Sequence, residues 1–387
     1  MKRVPKFVWS LLACMICIVA TAVVCLVFLD RGTTSDKYME VMGIIESTYY
    51  KEQEVSELET ASARAMVASL GDENSYYMSA EEYEEYKLLM TNQYVGIGIT
   101  TERNERYGFL SVVGVTPGSP ADAAHIKIGN LIYSVNDINV SEYTPDELNE
   151  LLRSFDDNEA EEDKYFTLHL LNTQGGKADV RVRCELIYAE PIIYYLLEDN
   201  NTLLTSDIGY ILIRNFNDSA AVSLKAAVED LQRMGARALI IDVRDNSNGK
   251  PAEVADALDY LLPRGDLFLL RDRSGKETTY SSGNSSVEMP LTIIVNQRTS
   301  CAAEMFASVM QQSGYTIVGR RTAANAQSQV IVEMEDGCAI RISKYEYLTP
   351  DKKSMTELGG VVPDIASYQI EDSDMDVQLE AAKDVVE

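Results

Sequence analysis

From about Ile208 the chain alternates short apolar runs with longer stretches of helical period, and this alternation restricts its fold more than any other feature. Gly209–Arg214, Ala238–Val243 and Leu291–Val295 read as buried strands; Ala220–Met234, Ala252–Leu262 and Ala302–Gln312 read as helices. Strands and helices in alternation mean an α/β layer structure. The chain has 387 residues, enough for two or three domains of ~100–200 residues each. A hydrophobic fraction of 46% can fill sizeable cores and argues against global disorder.

Upstream the texture differs. Residues 35–90 read as helical, with Met39, Met42, Ile45 and Tyr49 recurring near a 3.6 period and Glu81, Glu82, Glu84 and Glu85 forming a solvated face. From Tyr94 short strands and turns follow: Gly96-Ile97-Gly98-Ile99, then Pro117-Gly118-Ser119-Pro120-Ala121, then Gly129 to Asn136. A helix is expected over Thr144–Ser154, with Asp146 and Glu147 suiting the dipole of its first turn, and strands near Tyr165–Leu171 and Ala178–Leu186. This stretch is a compact β-rich module of ordinary domain size. The end of the chain, from Glu371, is acidic.

Residues 7–29 carry no charge, enough helix at ~1.5 Å per residue to span a ~30 Å hydrocarbon core. Lys2, Arg3 and Lys6 precede them, so the positive-inside rule predicts a cytoplasmic N-terminus, a single-pass anchor in the cell membrane and extracytoplasmic main domains. A cleaved signal peptide is the competing reading, but its apolar region is shorter and no A-x-A site follows Leu29. Cys14, Cys17 and Cys25 fall inside this span; Cys184, Cys301 and Cys338 lie outside it and are too sparse to make a disulfide framework. The charge balance, 34 − 61 = −27, argues against a nucleic-acid partner. With two histidines in the whole chain, a His base or a His-rich metal site starts at a disadvantage, and neither a metal nor a cofactor is expected.

Taken together the blocks resemble the carboxyl-terminal processing peptidases, or tail-specific proteases. Leu239-Ile240-Ile241-Asp242-Val243-Arg244-Asp245-Asn246 is similar to their strand-then-loop signature, Val295-Asn296 begins their nucleophile motif, and Gly359-Gly360-Val361-Val362-Pro363-Asp364 is similar to their terminal signature. Several motifs in the right order are far more specific than any one alone. The resemblance implies an α/β protease core of ClpP/crotonase type with an inserted β-rich PDZ domain; the patterns above add a helical N-terminal region and one N-terminal transmembrane helix. The expected division is 1–31 cytoplasmic tip and anchor, 32–93 helical region, 94–190 PDZ domain, 191–370 protease-like domain and 371–387 acidic tail.

A PDZ domain binds an extended peptide C-terminus as an added strand. Gly96 and Gly98 suit a loop whose backbone approaches a ligand closely, and Ile97 and Ile99 are expected to floor a pocket for the last side chain. Peptide or protein C-termini are therefore the expected partners.

The family motif places its nucleophilic serine where this chain has Cys301, in Asn296-Gln297-Arg298-Thr299-Ser300-Cys301-Ala302-Ala303-Glu304. It places its lysine base at Asn325, while Gln329 keeps the family glutamine. The oxyanion region maps to Asn248, Gly249 and Ala302; Ser247 and Asn248 replace the family's proline and first glycine, and an asparagine tolerates the left-handed conformation such a loop needs. A desolvated lysine takes a serine proton, which an amide cannot do. Cysteine needs a base less, and a place at a helix N-terminus favours its thiolate. Acyl transfer also needs a proton for the leaving amine, yet His125 and His169 both fall in the PDZ region. Lys250 and Lys344 are the remaining candidate bases, and both read as surface residues. The expectation is a peptide-binding, catalytically impaired homologue, a pseudoprotease. An active tail-specific endopeptidase using Cys301 is the alternative, and a reactive thiol in a binding protein a third reading.

Overall fold

A computed structural model of the chain describes residues 34–51, 54–104, 108–155, 164–172, 175–198, 205–283, 286–368 and 375–387. It divides into two compact units, residues 1–71 and 72–387. The described part of the first unit holds two helices, α1 (Thr34–Thr48) and α2 (Val55–Ala68). Of the apolar positions that predict them, Met42 is buried whereas Met39 and Tyr49 face solvent.

The expectation of a single-pass anchor, and with it the placement at the cell membrane, is corrected here. No helix among the described residues is long and apolar enough to cross a membrane. Helices α1 and α2 have 15 and 14 residues and carry charged side chains, whereas a span needs ~20 mostly apolar ones. The segment 7–29 lies outside the described residues.

The second unit opens with β1 (Tyr76–Met78) and α3 (Ala80–Met90). Ser79 starts α3 with a reciprocal capping box to Glu82, so one of the expected surface glutamates has a structural task. Strand β1 interrupts the expected helical stretch. Its three residues are held by pairing with Ala339 to Arg341, a non-local contact that helical periodicity cannot foretell.

The β-rich module follows as β2 (Gln93–Gly96), β3 (Ile99–Asn104), β4 (Phe109–Val115), α4 (Pro120–Ala123), β5 (Leu131–Val135), β6 (Ile138–Asn139), α5 (Pro145–Ser154), β7 (Phe166–Leu171), β8 (Lys177–Val182) and β9 (Glu185–Tyr188). An antiparallel sheet runs in the order β3-β4-β5-β7-β8, and β9 returns to pair with β2. The single strand expected over Ala178–Leu186 is split, because Arg183 and Cys184 step from one sheet to the other. Leu110, Val112, Ile132, Leu148 and Leu168 fill the module's core, α5 contributing Leu148 and Leu152 at helical spacing.

The α/β core comprises β10 (Ile192–Glu198), β11 (Thr205–Ile213), α6 (Ala220–Met234), β12 (Ala238–Asp242), α7 (Pro251–Leu261), β13 (Gly265–Asp272), β14 (Glu277–Ser282), β15 (Leu291–Val295), α8 (Cys301–Gln312), β16 (Thr316–Gly319), β17 (Gln327–Glu333), β18 (Ala339–Leu348), α9 (Met355–Leu358), β19 (Ile365–Ala366) and α10 (Val377–Val386). One sheet has the order β10-β11-β12-β15-β16-β19 and is parallel from β11 onward. Every residue of β12 and β15 is buried, as strands covered on both faces must be. Alternation sends Leu239, Ile241 and Ile293 into a core shared with α6, α7 and α8, and Ile240 and Ile294 to the opposite face with α10. A second sheet, β1-β18-β13-β14 with β17 beside β18, adds Phe268, Leu270 and Tyr347 to the larger core.

The acidic end of the chain is part of this body. Asp376 caps α10 by accepting from the Leu379 amide at 3.0 Å. Arg244, just past β12, donates to Asp242 and to both carboxylate oxygens of Asp376, at 3.0 and 2.7 Å.

Candidate functional site

Strand β15 ends at Val295, and a tight turn delivers Cys301 to the start of α8. Asn296 Oδ1 accepts from the amides of Arg298 and Thr299 at 3.0 and 3.1 Å, Thr299 Oγ1 donates to the Val243 carbonyl at 2.9 Å, and the Ser300 amide donates to the Asn246 carbonyl at 3.1 Å. These bonds hold Cys301 at φ +52, a left-handed backbone that side chains other than glycine rarely adopt and that surrounding structure must impose.

Cys301 is 3% exposed. Burial pushes its thiol above the ordinary value; the Ser300 hydroxyl, the Arg341 charge and the Gln327 amide pull the other way without overcoming it. The expected thiolate preference of a helix N-terminus is therefore outweighed by desolvation.

The structure brings Asn325 directly against Cys301, whose amide donates to the Asn325 carbonyl at 2.8 Å. The loop carrying Asn325 is fastened to α8 by Glu304. This buried carboxylate accepts from the Thr322 hydroxyl and from the amides of Ala324 and Asn325 at 2.8 and 2.9 Å. Burial raises the Glu304 carboxyl, and these bonds offset the rise only in part. Ala302 is fully buried in the first turn of α8, where an amide has no partner within its own helix.

Asn248, Gly249 and Gln329 meet elsewhere, along one cavity of ≈ 430 Å³ that Cys301, Ala302 and Asn325 do not line. The loop is stitched to Phe216, whose amide donates to the Asn248 carbonyl at 3.0 Å while the Lys250 amide donates to the Phe216 carbonyl at 2.8 Å. The left-handed burden falls on Asp245 and Gly249, not on Asn248 as expected. A Cβ at Gly249 would lie 2.4 Å from the Phe216 Cβ, so only glycine fits.

Gln329 spans β17 and β18, its Nε2 donating to Ser343 Oγ at 3.2 Å and its Oε1 accepting from Arg341 Nη2 at 2.9 Å. Lys250 is bound to Asp218 at 2.5 Å, and Lys344 lies 5.0 Å from the Tyr345 ring centroid. His169, on β7, contacts Asp179 at 2.6 Å, and His125 follows α4. Sequence reasoning missed Arg341. The signal was in β18, where alternation puts Arg341 on the same inward face as Ala339.

The tetrad Gly96 to Ile99 lines a larger cavity, ≈ 1140 Å³, bounded also by α5 through Asn149 and Arg153 and by α3 through Leu88 and Leu89. Gly98, at φ +85, has no room for a Cβ, which would meet Ser119 at 2.2 Å. Gly96 has no such constraint; it ends β2 opposite Glu185. Ile97 is packed into the module core and Ile99 lies at its margin. Arg153 and Glu85 form an ion pair at 2.7 Å between α5 and α3 at this cavity.

Fold and site together describe a peptidase-type α/β core joined to a module with a peptide-sized groove. Residues 207–367 match Peptidase family S41, and residues 111–159 match the PDZ domain. The chain thus carries a Peptidase S41 domain and a PDZ domain and is similar to carboxyl-terminal processing peptidases, as the motifs predict. It is 26% identical to carboxy-terminal processing protease CtpA of Bacillus subtilis over 88% of this chain and 72% of that one. It is also 26% identical to a carboxyl-terminal-processing protease of Picosynechococcus over 83% of this chain and 77% of that one. The photosystem II D1 C-terminal processing protease shares the fold, with TM-score 0.51 and 21% identity over 92% of each chain.

Proposed function

We propose that this chain binds peptide or protein C-termini through its PDZ domain and is catalytically impaired at the position of the family dyad. The observation that carries this reading is the 2.8 Å bond between the Cys301 amide and the Asn325 carbonyl. This bond is between main-chain atoms and supports taking the two positions as neighbours; their side chains are a thiol and a carboxamide. An amide is no base at neutral pH, and a buried thiol with a raised pKa is a poor nucleophile. The engagement of Lys250 by Asp218 supports the same reading, since it directs the amine to a carboxylate and away from the thiol. Gly98 and its groove support strand addition by a ligand C-terminus.

One observation favours an active endopeptidase instead. Arg341 acts on the Cys301 sulfur in the direction that favours thiolate. The two readings separate when the purified chain is incubated with peptides ending in apolar residues. Micromolar binding that depends on a free C-terminus, without cleavage, is expected. Cleavage that vanishes in Cys301→Ala overturns the impaired reading.

A further inference from the structure

Helix α3 separates two cavities that share no lining residue. Leu88 and Leu89 face the PDZ groove, while Tyr83, Tyr86 and Met90 face the ≈ 430 Å³ cavity of Asn248, Gly249 and Gln329. Arg341 lines the second cavity and is 9% exposed. Its Nη2 donates to Gln329, its Cζ lies 5.5 Å from the Tyr76 ring centroid, and its Nε has no hydrogen-bond partner. Among the described residues no carboxylate lies within ion-pair distance of it. Asp72 feels its charge but is held by Ser75 and the Asn74 amide.

A guanidinium stays charged at any working pH, and a buried charge persists when something pairs with it. The cavity's other cations are already matched, Lys87 by Glu84 and Lys250 by Asp218. One unmatched positive charge therefore remains, on the fork that suits a planar carboxylate. Met90, Ile331 and the ring faces of Tyr83 and Tyr86 supply apolar wall beside it; the Tyr86 hydroxyl hydrogen-bonds Arg341 but, being neutral, does not match its charge. The volume, ≈ 430 Å³, is in the range of small-ligand sites.

We propose that this cavity holds a C-terminal amino-acid residue, its carboxylate on Arg341 and its side chain against Tyr83, Tyr86 and Ile331. The site is separate from the PDZ groove and does not depend on the reading of that groove.

The probe is N-acetyl-leucine, one residue and so too short to add a strand to a sheet, titrated calorimetrically into the full chain. The expected result is saturable binding that N-acetyl-leucinamide lacks and that acetate matches only at least tenfold more weakly. Arg341→Met is expected to weaken it at least tenfold. Because losing a buried arginine can prevent folding, Thr91→Glu supplies an independent arm. Thr91 is exposed at the cavity and leaves Arg341's packing intact, and a like charge there is expected to weaken binding several-fold. No binding at ~10 mM overturns the proposal, as does equal binding of the amide or an affinity unchanged in the folded variants. Acetate binding as tightly as N-acetyl-leucine overturns the assignment to an amino-acid residue and leaves a small-anion site.

Discussion

Cys301 is governed by two opposed local effects, and burial is the larger. The α8 N-terminus and Arg341 favour a thiolate, whereas removal from water at 3% exposure disfavours it more. Alkylation of Cys301 in the native chain, followed by peptide mapping over a pH series, should show a midpoint above the free-thiol value of ~8.5. A midpoint well below that would make the cysteine-peptidase reading the stronger one. At Arg341 the residue scale teaches a different lesson. The side chain type is plain in the sequence, but its burial and its missing counter-ion depend on β1, β17 and α3 closing around it.

At the scale of elements, two carboxylates fasten a loop and a helix to the core and respond oppositely to pH. Glu304 ties the Asn325 loop to α8, and its folded-state pKa is raised. Its contribution to stability is therefore complete below the unfolded value of ~4.3 and declines as pH rises through the higher folded value. Glu304→Gln should cost about 1–3 kcal/mol through misplaced donors, and the gap from wild type should narrow between acid and neutral pH in urea unfolding. A gap that widens would contradict the assignment.

Asp376 behaves the other way. Burial raises its carboxyl, but the bonds and charge of Arg244 outweigh this and lower it. Its contribution is present above the unfolded value of ~3.9 and is lost as pH falls through the lower folded value. Asp376→Ala removes both the α10 cap and the Arg244 clamp. Amide exchange across Leu379–Val386 should quicken at least ~tenfold while β12 stays protected, a local loss of about 1–3 kcal/mol. Uniform quickening of both would mean the helix is not a separately released element.

For the whole molecule, the question is whether the fold retains what peptide hydrolysis needs apart from the dyad. The left-handed turn at Cys301, the Glu304-anchored loop and Gly249 against Phe216 are all in place. Cys301→Ser combined with Asn325→Lys should therefore produce measurable cleavage of peptides with apolar C-termini. Silence in a folded double variant would place the defect in the Ser247–Asn248 loop as well.

The α/β class, the strands Ala238–Asp242 and Leu291–Val295 and the helix at Pro145–Ser154 were legible from local pattern, because apolar runs, period and caps are properties of neighbouring residues. Tertiary structure alone decided that β1 is a strand, that Cys301 is desolvated and that the acidic tail folds back onto Arg244. It also decided that Arg341 stands buried beside Gln329 without a carboxylate. Each of these depends on contacts between residues far apart in the chain, where burial and charge pairing, not local preference, set the energy.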